Sequence, residues 1–171
     1  MERASSSDAF GALGLPARFD LDPKAIEAAF FERSKELHPD RFATAPAAER
    51  VAALSKSRAL NDAYQTLKKP VPRAEYLLAQ RGVKIGDNER LDPEFLMEIL
   101  EEREALSEAR AAGDLAKIEG FQKSWKGKRA AAIARLGEQF AVDDLEAIKR
   151  ELILLRYIDR YLEECDAALD D

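Results

Sequence analysis

Residues 35–43 read KELHPDRFA and contain the only histidine of the chain. One helical pattern runs into this stretch and another leaves it. Upstream, Ile26, Phe30, Arg33 and Leu37 recur at spacings of three and four, an apolar stripe in which the aliphatic stem of Arg33 closes the gap. The start of that helix is also written out: Asp22 suits the N-cap, Pro23 the first helical position, and Leu21 can staple onto Ile26. Pro39 cannot continue the ladder and restrains the residue before it, so the helix is expected to end at His38. Downstream, Leu54, Ser57, Leu60, Tyr64 and Leu67 are expected to face one way until KKPVP at 68–72 stops the second helix. Two helices joined by the loop HPDRFATAP can lie antiparallel as an αα-hairpin.

Working outward, SSDAFGALGLP at 6–16 permits only a short helix presenting Phe10 and Leu13, because Gly14 and Pro16 stop it. RAEYLLAQRG at 73–82 adds one more short amphipathic helix. The polar, glycine-containing run that follows, residues 82–91, reads as a linker. Beyond it the Asp-Pro start recurs at Asp92 and Pro93. A stripe then runs through Leu115, Ile118, Phe121, Trp125, Ala132, Ile133, Leu136 and Phe140, and another through Leu145, Ile148, Leu152, Leu155, Leu162, Cys165 and Leu169. Asp143 with Glu146 resembles a capping box for the last helix. No alternating run bounded by hairpin turns occurs, so the fold class is all-α, with residues 92–171 forming a three-helix bundle behind a helical domain at 1–81.

Composition narrows the function. A single Cys and a single His cannot supply a zinc site, and Cys165 has no disulfide partner within the chain, so no metal or cofactor is expected. The start, MERASSSDAF, has neither the apolar core of a signal peptide nor the Arg-rich, acid-poor character of a transit peptide, and no apolar run approaches membrane-spanning length, which suggests a cytoplasmic protein. A net charge of −6 argues against nucleic acid or an anionic membrane as partner. The charge is unevenly spread: residues 1–81 hold 13 Lys and Arg against 11 Asp and Glu, and residues 82–171 hold 14 against 22. The halves are expected to meet different partners.

EFLMEILEEREALSEAR, residues 94–110, has more apolar residues than one buried stripe needs. On a helix advancing about 100° per residue, Phe95, Ile99, Leu106 and Ala109 share one side and Leu96, Met97 and Leu100 another, with Glu101, Glu104 and Glu108 beside the second group. Such a surplus strip edged by carboxylates is a candidate interface, since exposed contiguous apolar surface is normally kept small. A wide buried face is the alternative reading. Trp125, at its helical spacing, reads as core, and the glutamates read as a solvated edge without convergent partners for a hard cation.

A helix ending in LHPDRF, a loop, and a following helix carrying ALNDAYQTLKKP together resemble the J-domain, the co-chaperone module that activates ATPase chaperones of the DnaK class. LGLPARFDLD, HPDRFA, PVPRAEYLL and FLMEILEEREAL succeed one another as they do in the HscB family, J-proteins devoted to iron–sulfur cluster assembly. The resemblance implies a non-enzymatic co-chaperone with a J-domain that stimulates an HscA-type ATPase chaperone and a C-terminal helical domain that binds the cluster scaffold protein IscU. It also implies site residues: His38, Pro39, Asp40, Arg41, Lys35 and Arg33 toward the chaperone, and Leu96, Met97, Leu100, Glu101, Glu104, Glu108 and Tyr157 toward the scaffold. Chemistry agrees with docking rather than catalysis, because no second imidazole or oxyanion device accompanies His38. His38 then orients by hydrogen bonding, Pro39 stiffens the turn, Asp40 offers a carboxylate to an arginine, and Lys35 and Arg41 add positive charge. A generalist DnaJ-type protein presenting unfolded clients to DnaK is the rival, weakened by Glu27, Glu32 and Glu36 among the basic residues of the preceding helix. A carboxylate hydrolase built on the glutamate-rich helix is a second rival.

Overall fold

The computed structural model describes residues 8–171. The expectation for the chain's first residues falls on positions 1–7, outside that range. The described residues form seven α-helices and no strand, and no helix is long and apolar enough to cross a membrane. They divide into two compact units between Gln80 and Arg81.

In the first unit, α1 (Ala9–Leu13) starts where Asp8 Oδ1 accepts from the Gly11 N–H at 2.6 Å, and it ends at Gly14 in the left-handed conformation, φ 66°. Only a residue without Cβ adopts that backbone at no steric cost. Helix α2 (Pro23–Glu36) is capped by Asp22, which accepts from the Lys24 N–H at 3.0 Å, with Pro23 in the first turn. Helix α3 (Ala47–Leu67) follows the loop, and α4 (Pro70–Gln80) opens on Pro70 three residues earlier than RAEYLL suggests, since a proline at the first helical position costs no hydrogen bond. Phe30 stacks on Tyr64 at 4.3 Å, while Leu37 and Ala53 line one cleft. As the number falls along α2 it rises along α3, so the pair is an antiparallel hairpin. Phe10, Leu13, Leu21, Ile26, Leu60, Ala63 and Leu67 form the core of this unit. Buried Arg73 donates to the Leu67 carbonyl at 2.9 Å, satisfying an acceptor that the end of α3 leaves free.

Leu54 departs from expectation. The buried side of α3 consists of Ala53, Leu60, Ala63 and Leu67, and Leu54 is 55% exposed. Positions 53, 60 and 67 recur every seven residues and so stay nearly in line, and Leu54 lies about 100° off that line. The seam runs through a small alanine that periodicity alone passes over.

The second unit packs α5 (Pro93–Ala111), α6 (Leu115–Ala141) and α7 (Leu145–Leu169) around Ile99, Leu106, Ile118, Trp125, Ile158 and Tyr161. Trp125 is 1% exposed, its ring 4.9 Å from Tyr161 and 6.0 Å, edge-on, from Phe95. Leu115, expected in this stripe, is 51% exposed: it is the first residue of α6, and the core begins one turn later at Ile118. The pairs Tyr161–Glu102, Glu164–Arg103 and Asp171–Arg110 run in the same order along both helices, so α5 and α7 are parallel. The cap of α7 is Asp144, which accepts from the Ala147 N–H at 3.1 Å. Asp143, expected in that role, instead takes a left-handed conformation at φ 56°, tolerated by Asp better than by most residues, and pairs with Arg81 at 2.8 Å. Residues 82–91 carry no helix and are tied to α7: Arg156 donates to the Gly86 carbonyl at 3.0 Å, and Lys149 pairs with Glu89 at 3.2 Å.

Candidate functional site: an exposed turn and an exposed helix face

The histidine lies between α2 and a short 3₁₀ turn, Pro39–Phe42, for which it is the N-cap. Its backbone is extended, as a residue before proline must be, and its carbonyl accepts from the Arg41 N–H at 3.0 Å. His38 Nδ1 accepts from the Asp40 N–H at 3.3 Å and stands 3.5 Å from Asp40 Oδ2. A neutral ring in this arrangement leaves Nε2–H free to donate outward. The Asp40 side chain is 92% exposed. Pro39 fixes φ between them, and no residue of the turn is buried. The Asp40 carboxylate therefore faces solvent, with the His38 ring as its neighbour.

Around the turn the cations differ. Arg41 is exposed, and Lys35 pairs with Glu32 at 3.1 Å on the surface, an interaction weak enough to yield to a partner. Arg33 extends across the C-terminal cap of α1, where a Cβ on Gly14 would lie 3.1 Å from its Cζ. Its guanidinium therefore covers Gly14, and a larger residue at 14 would displace it.

On α5, Leu96, Met97 and Leu100 are 38%, 59% and 49% exposed, while Ile99 between them is fully buried. With about 100° per residue, the centre of this strip lies roughly 140° around the helix from the centre of the buried side. Glu101, Glu104 and Glu108 are exposed and continue along the strip's side. Tyr157 is half-buried on α7, with Arg160 Cζ 5.8 Å from its ring centre. It precedes Tyr161 by one turn. Because Tyr161 donates to Glu102 at 3.3 Å and the helices are parallel, Tyr157 is level with the opening turns of α5. An aromatic and three aliphatic side chains thus stand at one height of the bundle, with carboxylates running away from them.

Neighbouring polar groups serve the structure. Burial and the adjacent Cys165 push the Tyr161 phenol well above its usual range, and burial likewise raises the Cys165 thiol. Both stay protonated inside the bundle. Among the described residues no three His, Cys, Asp or Glu side chains converge to hold a metal ion.

Beyond the residues expected from sequence, the first unit exposes Phe31, Val51 and Leu54, at 58%, 67% and 55%.

Comparison with known proteins agrees with both halves. Residues 8–76 match the DnaJ domain, and residues 91–166 match the HSCB C-terminal oligomerisation domain. The chain is 37% identical over 172 residues to the co-chaperone protein HscB homolog of Azoarcus sp. strain BH72, covering 95% of this chain and 94% of that one. Among solved structures, the chaperone HscB from Vibrio cholerae superposes with a TM-score of 0.84 at 35% identity, over 95% of this chain and 98% of that one. Human co-chaperone protein HscB superposes with a TM-score of 0.86 at 27% identity, over 98% and 84%. With its J-domain turn, its helical bundle and full-length similarity of this degree, the chain belongs to the HscB family of J-domain co-chaperones.

Proposed function

We propose that this co-chaperone stimulates ATP hydrolysis by an HscA-type chaperone and delivers to it the iron–sulfur cluster scaffold protein IscU, so aiding maturation of iron–sulfur proteins. The J-domain, residues 1–81, docks on the chaperone through His38, Pro39, Asp40 and Arg41, with Lys35 joining once released from Glu32 and Arg33 bracing α1. The bundle, residues 92–171, holds the scaffold through Leu96, Met97, Leu100 and Tyr157, with Glu101, Glu104 and Glu108 meeting basic groups on it. Residues 82–91 join the two. The cluster is the scaffold's cargo.

The observation that carries this reading is the solvent exposure of Leu96, Met97 and Leu100 on a helix whose Ile99 is wholly buried. Three large apolar side chains held together in water are a standing cost that a partner removes. Two binding surfaces on one chain then raise the effective concentration of client at the chaperone, with no further contact required. The test is the chaperone's ATPase rate with the co-chaperone alone, the scaffold alone and both together. Stimulation well beyond the product of the separate effects is expected. If a denatured protein replaces the scaffold with equal effect, the generalist reading holds instead.

A further inference from the structure

The first unit contains a cleft of about 280 Å³ that the docking turn does not explain. Its walls include Leu37 at the end of α2, Pro39 and Phe42 of the turn, and Ala53 and Leu54 of α3, and Arg50 and Ser57 also line it. The cleft is mostly aliphatic, and Leu54 remains 55% exposed beside it. Cavities of about 150 Å³ already hold a benzene ring, so one leucine or phenylalanine side chain fits.

Pro39 belongs to both the cleft and the turn, so a protein that grips the turn also lies over the cleft. The Arg50 side chain is exposed and makes no ion pair or hydrogen bond among the described residues, and Arg41 is exposed nearby in sequence. At the rim of the cleft itself, Arg50 therefore favours a carboxylate on the partner. Resting on the reading that the turn docks on the ATPase chaperone, we propose that this cleft takes one apolar side chain of leucine or phenylalanine type from that chaperone, on a segment whose neighbouring carboxylate pairs with Arg50. The turn supplies the charged contact and the cleft the apolar one. Burial of a side chain at a pocket of this kind dominates many interfaces of modest size.

The experiment uses the full chain and measures the co-chaperone concentration giving half-maximal stimulation of an HscA-type ATPase. Ser57→Phe fills the cleft from within and is expected to raise that concentration roughly tenfold, about 1.4 kcal/mol, with scaffold affinity unchanged. Leu54→Asp, at an exposed position and so tolerant of change, is expected to do the same, and it decides the matter if Ser57→Phe melts early. Arg50→Glu is expected to raise the value about threefold by repelling the carboxylate; no effect there contradicts the acidic neighbour. If the cleft variants stimulate like the parent while Asp40→Asn is inactive, the cleft assignment is wrong and the turn's role stands. If Asp40→Asn also behaves like the parent, the underlying docking reading fails. Self-association of the parent that Ser57→Phe abolishes would make a second copy the occupant and overturn the proposal.

Discussion

In the first unit the exposed surface is a turn of which no residue is buried, whereas in the second it is one side of a helix whose other side is the core. The turn keeps its shape through its own local contacts: a proline, an imidazole accepting from the Asp40 N–H, and a carbonyl accepting from Arg41. The strip on α5 has no such internal support. It borrows rigidity from Ile99 and Leu106, which are anchored against Trp125 and Tyr161. Substitution of the exposed Asp40 side chain is therefore expected to leave folding intact and, on the proposed reading, to impair docking. On α5 exposed and buried positions alternate within one turn of helix, so on the proposed reading a shift of one residue is expected to exchange a binding defect for a folding defect.

Substitutions can break this contrast. The largest effect is expected at the anchor: Trp125→Ala should cost about 3–5 kcal/mol, the usual range for deleting a buried aromatic, and chemical denaturation should show the loss. Next comes the strip. Leu96, Met97 and Leu100 changed together to Ala should weaken scaffold binding about a hundredfold, near 2.7 kcal/mol, while circular dichroism melting stays close to the parent. Melting far below the parent would make the strip core. Ile99→Ala, one position away, should show the reverse: about 2–5 kcal/mol of lost stability and, at temperatures where it remains folded, near-normal binding by calorimetry.

The smallest effect is expected at the tether between residues 82–91 and α7. The Gly86 N–H and the Lys149 ammonium hold the Glu89 carboxyl below its usual range. A folded-state pKa lowered in this way gives stability that is present above the ordinary carboxylate range and lost as the pH falls through the lowered value. Glu89→Gln should therefore melt slightly below the parent at neutral pH, with the difference vanishing in strong acid. A difference that persisted or grew on acidification would contradict the pairing.

The contrast also governs what could be read in advance. The turn was legible because proline, a helix end and a following helical pattern mark it with residue chemistry alone. The α5 strip was legible as a surplus: Leu96, Met97 and Leu100 exceed what one buried side can take. Leu54 and Asp143 were misread for related reasons. A helix seam can run through Ala53 as readily as through a leucine, because packing follows the neighbouring helix's shape rather than side-chain size. Two adjacent aspartates, Asp143 and Asp144, both offer a cap, and only the left-handed backbone at 143 decides between them. The cleft beside Pro39 was invisible in the sequence, since its lining comes from α2, the turn and α3 and exists only once they are assembled.

The central claim is that the two surfaces act separately, one in each unit. It is tested most directly by Asp40→Asn in the full chain, with chaperone stimulation and scaffold binding measured on the same preparation. Losing a charge-assisted contact worth about 1.5–3 kcal/mol should reduce stimulation tenfold or more, while the scaffold Kd and the melting temperature match the parent. Undiminished stimulation, or a scaffold Kd that weakens in step with it, would contradict the account.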